Sequence, residues 1–251
     1  MSLSNTSQKG SEIPEVKLTK TQEKICNLIV SVTKFFFKRG TIFQNAPFRG
    51  FLLEGPPGNG KTEIAKQAVR RLDLELDEVY LKFIDSASIA EPKWGEAEKK
   101  LKEAFIEAQF SKRRNIDRKI IMLFDDIDCL MIKRGSEIAR EWHYSINSLM
   151  FHEIDKLNPF YTVIIATTNR PSLIDFALRS RLYSIRVPQL NIEELKEIAH
   201  RMIFSSVLDE TLAKQLINNV SEKLLKLKNP TIRDVQHLVV TECIALGGWK
   251  A

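Results

Sequence analysis

The sequence has few cysteines and no long apolar run. Its 251 residues contain three cysteines, which are widely separated and odd in number: Cys26, Cys129 and Cys243. This count excludes a closed disulfide framework and is typical of a reducing, cytoplasmic location. No apolar run approaches the ~18 residues of a membrane-spanning helix, and the Ser-, Asn- and Thr-rich start does not resemble a signal peptide, so we expect no membrane partner. The four histidines lack the spacing of zinc ligands.

Positive charge is modest in size and uneven in placement. The formal net charge is +6, and residues 1–54 contain eight Lys or Arg against four Asp or Glu, a surplus of four. The overall composition, 43% hydrophobic and 28% charged, is that of an ordinary soluble protein. A basic N-terminal segment is typical either of a surface that binds nucleic-acid phosphates or of a solvated face.

Three glycines and a Lys-Thr pair follow a short apolar segment at residues 51–54. Glycines let a loop turn so that backbone N–H groups converge on an anion at the start of a helix. A lysine there reaches the outer phosphates of a nucleotide, and a threonine hydroxyl can bind the accompanying Mg²⁺. The motif predicts that the chain binds a nucleoside triphosphate through Gly55, Pro56, Pro57, Gly58, Asn59, Gly60, Lys61 and Thr62.

Apolar segments alternate with amphipathic ones along most of the chain. The pattern predicts strands at residues 51–54, 79–84, 120–124, 162–166 and 184–187. It predicts helices at residues 20–39, 63–72, 96–110 and 137–157, and helices alone after Pro188, at 191–204, 209–227 and 231–246. Such alternation is typical of an α/β fold in which a parallel sheet has helices on both faces.

These segments predict three parts of the chain. Residues 1–40 form a basic N-terminal segment and helix, of which we expect the first 12 residues to be disordered. Residues 41–188 form an α/β nucleotide-binding domain. Residues 189–251 form a small helical domain.

Carboxylates follow the apolar segment at residues 120–124. Acidic side chains at the carboxyl end of a strand lie where open α/β folds bind ligands. We expect Asp125 to hold Mg²⁺ through water, and Asp126 to orient or deprotonate the attacking water. Asp128 is better suited to capping a helix or pairing with a cation.

A second polar turn follows the strand at residues 162–166. Asn169 at the end of that strand is placed to bind the γ-phosphate or the attacking water, although Asn-Arg-Pro is also a common turn sequence. Arg179 and Arg181 come next, and arginine is suited to spreading phosphate charge in a transition state, or to a local ion pair.

The order and spacing of these motifs resemble those of AAA+ ATPases over roughly residues 40–246. Residues 55–62 resemble the Walker A motif of that family, 123–126 Walker B, 168–169 sensor 1, 177–182 the arginine-finger segment, and 231–234, with Arg233, sensor 2. The resemblance implies a five-stranded parallel P-loop NTPase sheet and a helical lid over the nucleotide. It also implies ATP and Mg²⁺ bound between the subunits of a homo-oligomeric ring or arc, with Arg179 and Arg181 acting on the ATP of the neighbour.

The chain departs from the family pattern in three places. Asp126 stands where most members have glutamate, so hydrolysis is expected to be slow, and Asp-Asp here also resembles replication initiators and helicase loaders. Trp94-Gly95 resembles the pore loop of members that thread substrates, but it lacks the middle residue of that motif. Arg233 stands where those threading members usually have a small residue.

Three functions remain open from the sequence. The first is an ATPase that remodels a protein partner, which Trp94-Gly95 and the turn at Asn169 favour. The second is a DNA-associated replication initiator or helicase loader that uses ATP as an assembly switch, which Asp126, Arg233 and the basic N-terminal segment favour. The third is a nucleotide-binding scaffold that does not hydrolyse ATP.

Overall fold

The computed structural model describes residues 7–39, 48–90, 95–109, 118–133, 135, 141–207 and 209–247. The chain divides into two compact units. The larger contains Met1–Val16, Lys24–Gly55 and Lys61–Val187. The smaller contains Lys17–Glu23, Pro56–Gly60 and Pro188–Ala251.

The larger unit is built on one mixed sheet of six strands. In chain order these are β1 (Gln8–Lys9), β2 (Gly50–Glu54), β3 (Val79–Asp85), β4 (Lys119–Asp125), β5 (Thr162–Thr168) and β6 (Tyr183–Arg186). Their order across the sheet is β1-β3-β4-β5-β2-β6. The last five are parallel to one another, as predicted, and β1 pairs with β3 in the antiparallel direction.

Helices accompany the strands in both units. The larger unit has α2 (Lys61–Leu76), α3 (Ser86–Ile89), α4 (Glu96–Ala108), α5 (Glu141–Lys156) and α6 (Phe176–Arg179), and the smaller has α7 (Ile192–Ser206), α8 (Glu210–Lys226) and α9 (Ile232–Ala245). The first helix, α1 (Lys20–Arg39), has the bounds that its periodicity predicts, and its first four residues belong to the smaller unit. No helix in the described ranges is both long and apolar enough to span a membrane.

The central strands are apolar because both of their faces are covered. Every residue of β5 is buried, and β4 is buried up to Phe124. On one face, Phe105 of α4 packs near Phe124, with ring centroids 5.9 Å apart. The parallel register sets Asp125 beside Asp85 and ends β4, β5 and β2 at one edge of the sheet. That edge gathers the polar residues of the candidate site.

The helices of the smaller unit begin at well-formed caps. The side chain of Asn191 accepts from the Glu194 N–H while Glu194 accepts from the Asn191 N–H, and Thr231 and Asp234 form the same reciprocal box before α9. Burial opposes ionisation of Glu194, but hydrogen bonds from Thr21 and other donors outweigh it and lower the pKa of this carboxyl. These caps explain why α7 and α9 start where they do.

The expected disorder of residues 7–12 is wrong. Gln8–Lys9 form β1, and Gly10–Glu12 form a 3₁₀ turn. The N–H of Ser11 donates to buried Asp73 at 2.7 Å, and Lys9 pairs with Asp77 at 2.8 Å. These contacts fasten the segment to the edge of the sheet. The other predicted elements differ from the observed ones by up to four residues at either end, and parts of two, residue 110 and residues 137–140, lie outside the described ranges.

Candidate functional site

Lys61 is the first residue of α2 and is buried at the carboxyl edge of the sheet. Its ammonium donates to the carbonyl of Gly55 at 2.9 Å and to the side-chain oxygen of Asn169 at 2.6 Å. A buried ammonium needs such oxygen partners, since desolvating an unpaired charge is costly. The fold therefore brings together two predicted site residues that are 108 positions apart in sequence.

Thr62 lies beside Asp125, as expected for a pair that shares a cation. The Thr62 hydroxyl donates to Asp125 Oδ1 at 2.6 Å. A hydroxyl and a carboxylate side by side are hard oxygen ligands of the kind that Mg²⁺ prefers. The residues present thus fit a bound Mg²⁺.

Asp126 has an unusual backbone conformation. Its φ of 48° and ψ of 54° lie in the left-handed region, where aspartate is tolerated better than most residues. Its N–H donates to the Thr167 hydroxyl at 3.0 Å, and its carboxylate accepts from Asn169 Nδ2 at 2.7 Å. Asn169 therefore joins the lysine of the phosphate loop to the carboxylate predicted to activate water.

Thr167 is a site residue that sequence reasoning missed. Its buried hydroxyl donates to Asp125 Oδ1 at 2.7 Å while accepting from the Asp126 N–H. One side chain thus fixes the direction of the Asp125 carboxylate and the backbone of the next residue. The available signal was a pair of polar residues, Thr167 and Thr168, at the end of an otherwise apolar strand.

Asp128 neither caps a helix nor forms an ion pair in the described structure, so that prediction is wrong. Its carboxylate accepts from the Thr168 hydroxyl at 2.6 Å and from the Asn169 N–H at 3.3 Å. The Thr168 hydroxyl in turn accepts from the Arg170 N–H at 3.0 Å. Asp128 therefore ties the turn after β5 to the turn after β4 and holds the backbone of Asn169.

Cys129 is an exposed thiol close to these acids. Partial burial raises the pKa of the thiol, and the carboxylates of Asp128 and Asp126 raise it further, because a thiolate beside like charges is disfavoured. Arg170 opposes this rise. The thiol is therefore held in its protonated, less reactive form.

Both arginines predicted to act across a subunit interface are paired within the chain. Arg179 Nη1 lies 2.9 Å from Glu54 Oε1, directly before the phosphate loop, and its Nη2 donates to the carbonyl of Pro171. Arg181 makes two parallel hydrogen bonds of 2.8 Å to Asp155. This bidentate pair lowers the pKa of Asp155 and raises that of Arg181.

The tip of the phosphate loop, Pro56–Gly60, belongs to the smaller unit. Gly58 and Gly60 have φ of 75° and 79°, in the left-handed region that favours glycine. The Ile232 N–H donates to the carbonyl of Gly58 at 3.1 Å, and Gln22 Nε2 donates to the carbonyl of Asn59 at 3.0 Å. Gln22 was not identified from the sequence.

Two further predicted residues are placed differently. Arg233 is exposed on the first turn of α9. Trp94 lies outside the described residues, so the structure does not place the resemblance to a pore loop. Gly95, which follows it, has φ of 78° and open space where a Cβ would be.

Comparisons with known proteins agree with this geometry. The model of the family "ATPase family associated with various cellular activities (AAA)" matches residues 51–189. The chain is 36% identical over 135 residues to Cell division control protein 48 homolog B of Arabidopsis thaliana, covering 52% of this chain and 21% of that protein. It is 31% identical over 169 residues to the proteasome-associated ATPase of Acidimicrobium ferrooxidans, covering 64% of this chain and 28% of that protein.

A third relative is described as an AAA ATPase forming ring-shaped complexes, from Corynebacterium kroppenstedtii. The chain is 30% identical to it over 181 residues, covering 69% of this chain and 31% of the relative. The chain thus spans less than a third of the length of each of these relatives. Among solved structures, a chain of the E. coli MS115-1 HORMA:CdnC:Trip13 complex matches with a TM-score of 0.70 and 17% identity, covering 93% of this chain and 85% of that one. This likeness shows a shared fold.

Proposed function

The chain belongs to the AAA family of ATPases, and on that premise we propose that it binds and hydrolyses ATP to remodel a macromolecular partner. The observation that carries the proposal is the continuous line of hydrogen bonds from Lys61 through Asn169 to Asp126. It joins a phosphate-binding group to a carboxylate base, which are the two groups that hydrolysis of a phosphoanhydride needs.

Phosphate binding falls to residues 55–62. Their backbone N–H groups form the anion site, and the Lys61 ammonium binds the outer phosphates. Thr62 and Asp125 would hold Mg²⁺, which when bound neutralises phosphate charge. Arg233 is the remaining candidate for a contact to the phosphates.

Water activation falls to Asp126. Its carboxylate can accept the proton of a water that attacks the γ-phosphate, and Asn169 holds that carboxylate in place. The side chain of aspartate is one methylene shorter than that of glutamate, so the attacking water must lie closer to the backbone. Because small errors in position lower the rate, we expect turnover to be slow.

Assembly into a ring or arc would complete the site with Arg179 and Arg181 of a neighbouring subunit. The relative from Corynebacterium kroppenstedtii is named for ring-shaped complexes, which supports this part of the proposal. In a single chain the two arginines pair with Glu54 and Asp155. Assembly would therefore exchange an internal ion pair for contact with the neighbour's ATP.

A protein is the better supported partner, because an Asn-Arg-Pro turn and the Trp94-Gly95 sequence resemble those of substrate-threading members. The alternative, a DNA-associated initiator or helicase loader, is favoured by exposed basic residues on α1: Lys20, Lys24, Lys38 and Arg39. Other N-terminal lysines are committed elsewhere, since Lys9 pairs with Asp77 and Lys34 with Glu75.

One experiment separates the two partners. We would measure ATPase rate and DNA binding between ~50 and 200 mM salt, a range over which electrostatic DNA binding weakens steeply. For a remodeller of protein, DNA changes neither rate nor assembly, and Trp94→Ala abolishes remodelling with basal ATPase intact. For a loader, DNA stimulates the ATPase, and Lys24→Ala with Lys38→Ala reduces the salt dependence by roughly 0.9 per lost phosphate contact. Absence of DNA binding at ~50 mM salt removes the loader alternative.

A further inference from the structure

The tip of the phosphate loop has two adjacent carbonyl groups that accept hydrogen bonds from outside the loop. The Gly58 carbonyl accepts from the N–H of Ile232, at the start of α9. The Asn59 carbonyl accepts from the side chain of Gln22, in the segment before the α/β sheet. All of these residues lie in the smaller unit.

Fixing a carbonyl also fixes the next N–H group. No described peptide bond is cis, and in a trans peptide the C=O and the following N–H point in opposite directions. Holding the carbonyls of Gly58 and Asn59 therefore orients the N–H groups of Asn59 and Gly60 to the other side of the backbone. Successive N–H groups presented in this way form an anion-binding nest.

Gln22 is itself held in one orientation. It is only 3% exposed. Its Oε1 accepts from the Thr19 N–H at 3.0 Å, and its own N–H donates to the Thr19 hydroxyl at 3.4 Å. The amide is unambiguous because its oxygen faces an N–H group and its nitrogen faces a carbonyl. A buried donor with no freedom to turn is suited to setting the conformation of its partner.

Gly60 is matched to this contact. A Cβ at Gly60 would lie 2.5 Å from Gln22 Nε2, and its φ of 79° disfavours other residues. Gln22 therefore occupies the space that the absence of a side chain leaves behind the loop. The same glycine permits both the turn of the backbone and the approach of Gln22.

We propose that Gln22 is a positioning residue of the phosphate-binding loop, orienting its N–H groups for the phosphates of the nucleotide. The inference rests on the proposed binding of ATP by this loop. Gln22 lies outside residues 51–189, the part of the chain that matches the family model. A segment preceding that domain would therefore set the nucleotide affinity.

The test is the affinity of Gln22→Met for three ligands, measured by competition against a fluorescent ADP: ATP, GTP and inorganic tripolyphosphate. Methionine keeps the length of glutamine and loses the donor. We expect Kd to rise about tenfold for all three ligands, because the unsatisfied carbonyl of Asn59 lets the loop relax. At saturating ATP, kcat should stay within about twofold, since binding lost equally in ground and transition states raises KM alone.

The matched control is Gln67→Met. Gln67 is also a buried glutamine whose Nε2 donates to a backbone carbonyl, that of Pro14 at 2.8 Å. It should lower the melting temperature as Gln22→Met does, with nucleotide affinity unchanged. If Gln22→Met does not fold, Gln22→Glu replaces it, since glutamate keeps the acceptor for Thr19 and cannot donate to Asn59.

Two outcomes overturn the inference while leaving ATP binding intact. A loss confined to ATP would mean that Gln22 contacts the base, and an unchanged affinity for all ligands would mean that the loop holds its shape without Gln22. Failure of the wild-type chain to bind any of the three ligands would instead refute the proposed function.

Discussion

The side-chain amide of Asn169 lies 2.7 Å from the carboxylate of Asp126. Its oxygen accepts at the same time from Lys61 at 2.6 Å. A bound γ-phosphate would offer Lys61 a stronger, charged acceptor than an amide oxygen. Asn169 would then be released from Lys61 and free to bind the phosphate or the attacking water. In this arrangement the arrival of phosphate is communicated to Asp126 through one side chain.

Asp126→Asn should retain ATP binding and lose turnover. The amide keeps the shape of the carboxylate and the left-handed backbone, but it cannot accept the proton of the attacking water. The expected loss is at least ~10²-fold in kcat, in the range for removal of a general base. Phosphate release and fluorescent ATP titration measure the two properties separately. Hydrolysis at the wild-type rate would disprove the role given to Asp126.

Asp126→Glu should not restore fast hydrolysis, although glutamate is usual in the family. The backbone φ of 48° is tolerated by aspartate and asparagine better than by longer residues. The strain should lower stability by about 1 kcal/mol, or ~2–4 °C in melting temperature. We would measure kcat and thermal unfolding together. A faster enzyme with unchanged stability would show that side-chain length alone limits the rate.

Lys61→Ala should weaken ATP binding strongly. Truncating one partner of a buried charged contact costs about 2–5 kcal/mol, or at least ~30-fold in affinity. Lys66→Ala on the same helix is the control, because Lys66 lies over the ring of Phe83 at 5.5 Å and away from the loop. Isothermal titration with ATP gives both affinities. Equal binding by the two variants would contradict the role of Lys61.

The order of the parallel strands and the acids at their ends could be predicted from the sequence, because burial on both faces makes β4 and β5 apolar throughout. Hydrogen bonds between distant residues could not. Thr167 reaches Asp125 across 42 positions, and Gln22 reaches Asn59 across 37. The order of residues 7–12 was hidden for the same reason, since Ser11 is held by Asp73, 62 positions away. Composition reports local tendencies and carries no information on such partners.

Thr167→Val should reduce kcat without weakening ATP binding. Valine fills the same volume and removes the hydroxyl that holds both the Asp125 carboxylate and the Asp126 N–H. Loss of one such hydrogen bond is worth about 1 kcal/mol, so we expect kcat to fall about fivefold to tenfold. Thr167→Ser should restore most of the rate.

Thr162→Val is the control for Thr167→Val. Thr162 lies on the same strand, and its buried hydroxyl donates to the Ala108 carbonyl at 3.1 Å, at the opposite end of β5 from the site. It should change stability alone. Equal losses of kcat in the two variants would show that β5 tolerates neither substitution and that Thr167 has no special place.

Arg179→Ala and Lys61→Ala subunits should each be inactive alone and partly active when mixed. If Arg179 acts on the ATP of a neighbour, a mixed ring contains interfaces that pair an intact Lys61 with an intact Arg179. Random mixing in equal amounts gives this pairing at roughly a quarter of head-to-tail interfaces. Wild-type activity per subunit should also rise with protein concentration, as for any site completed by association. If Arg179 acts only through Glu54 of its own chain, mixing restores nothing and activity per subunit does not depend on concentration. The same mixture made with Arg181→Ala shows whether the arginine that pairs with Asp155 shares this role.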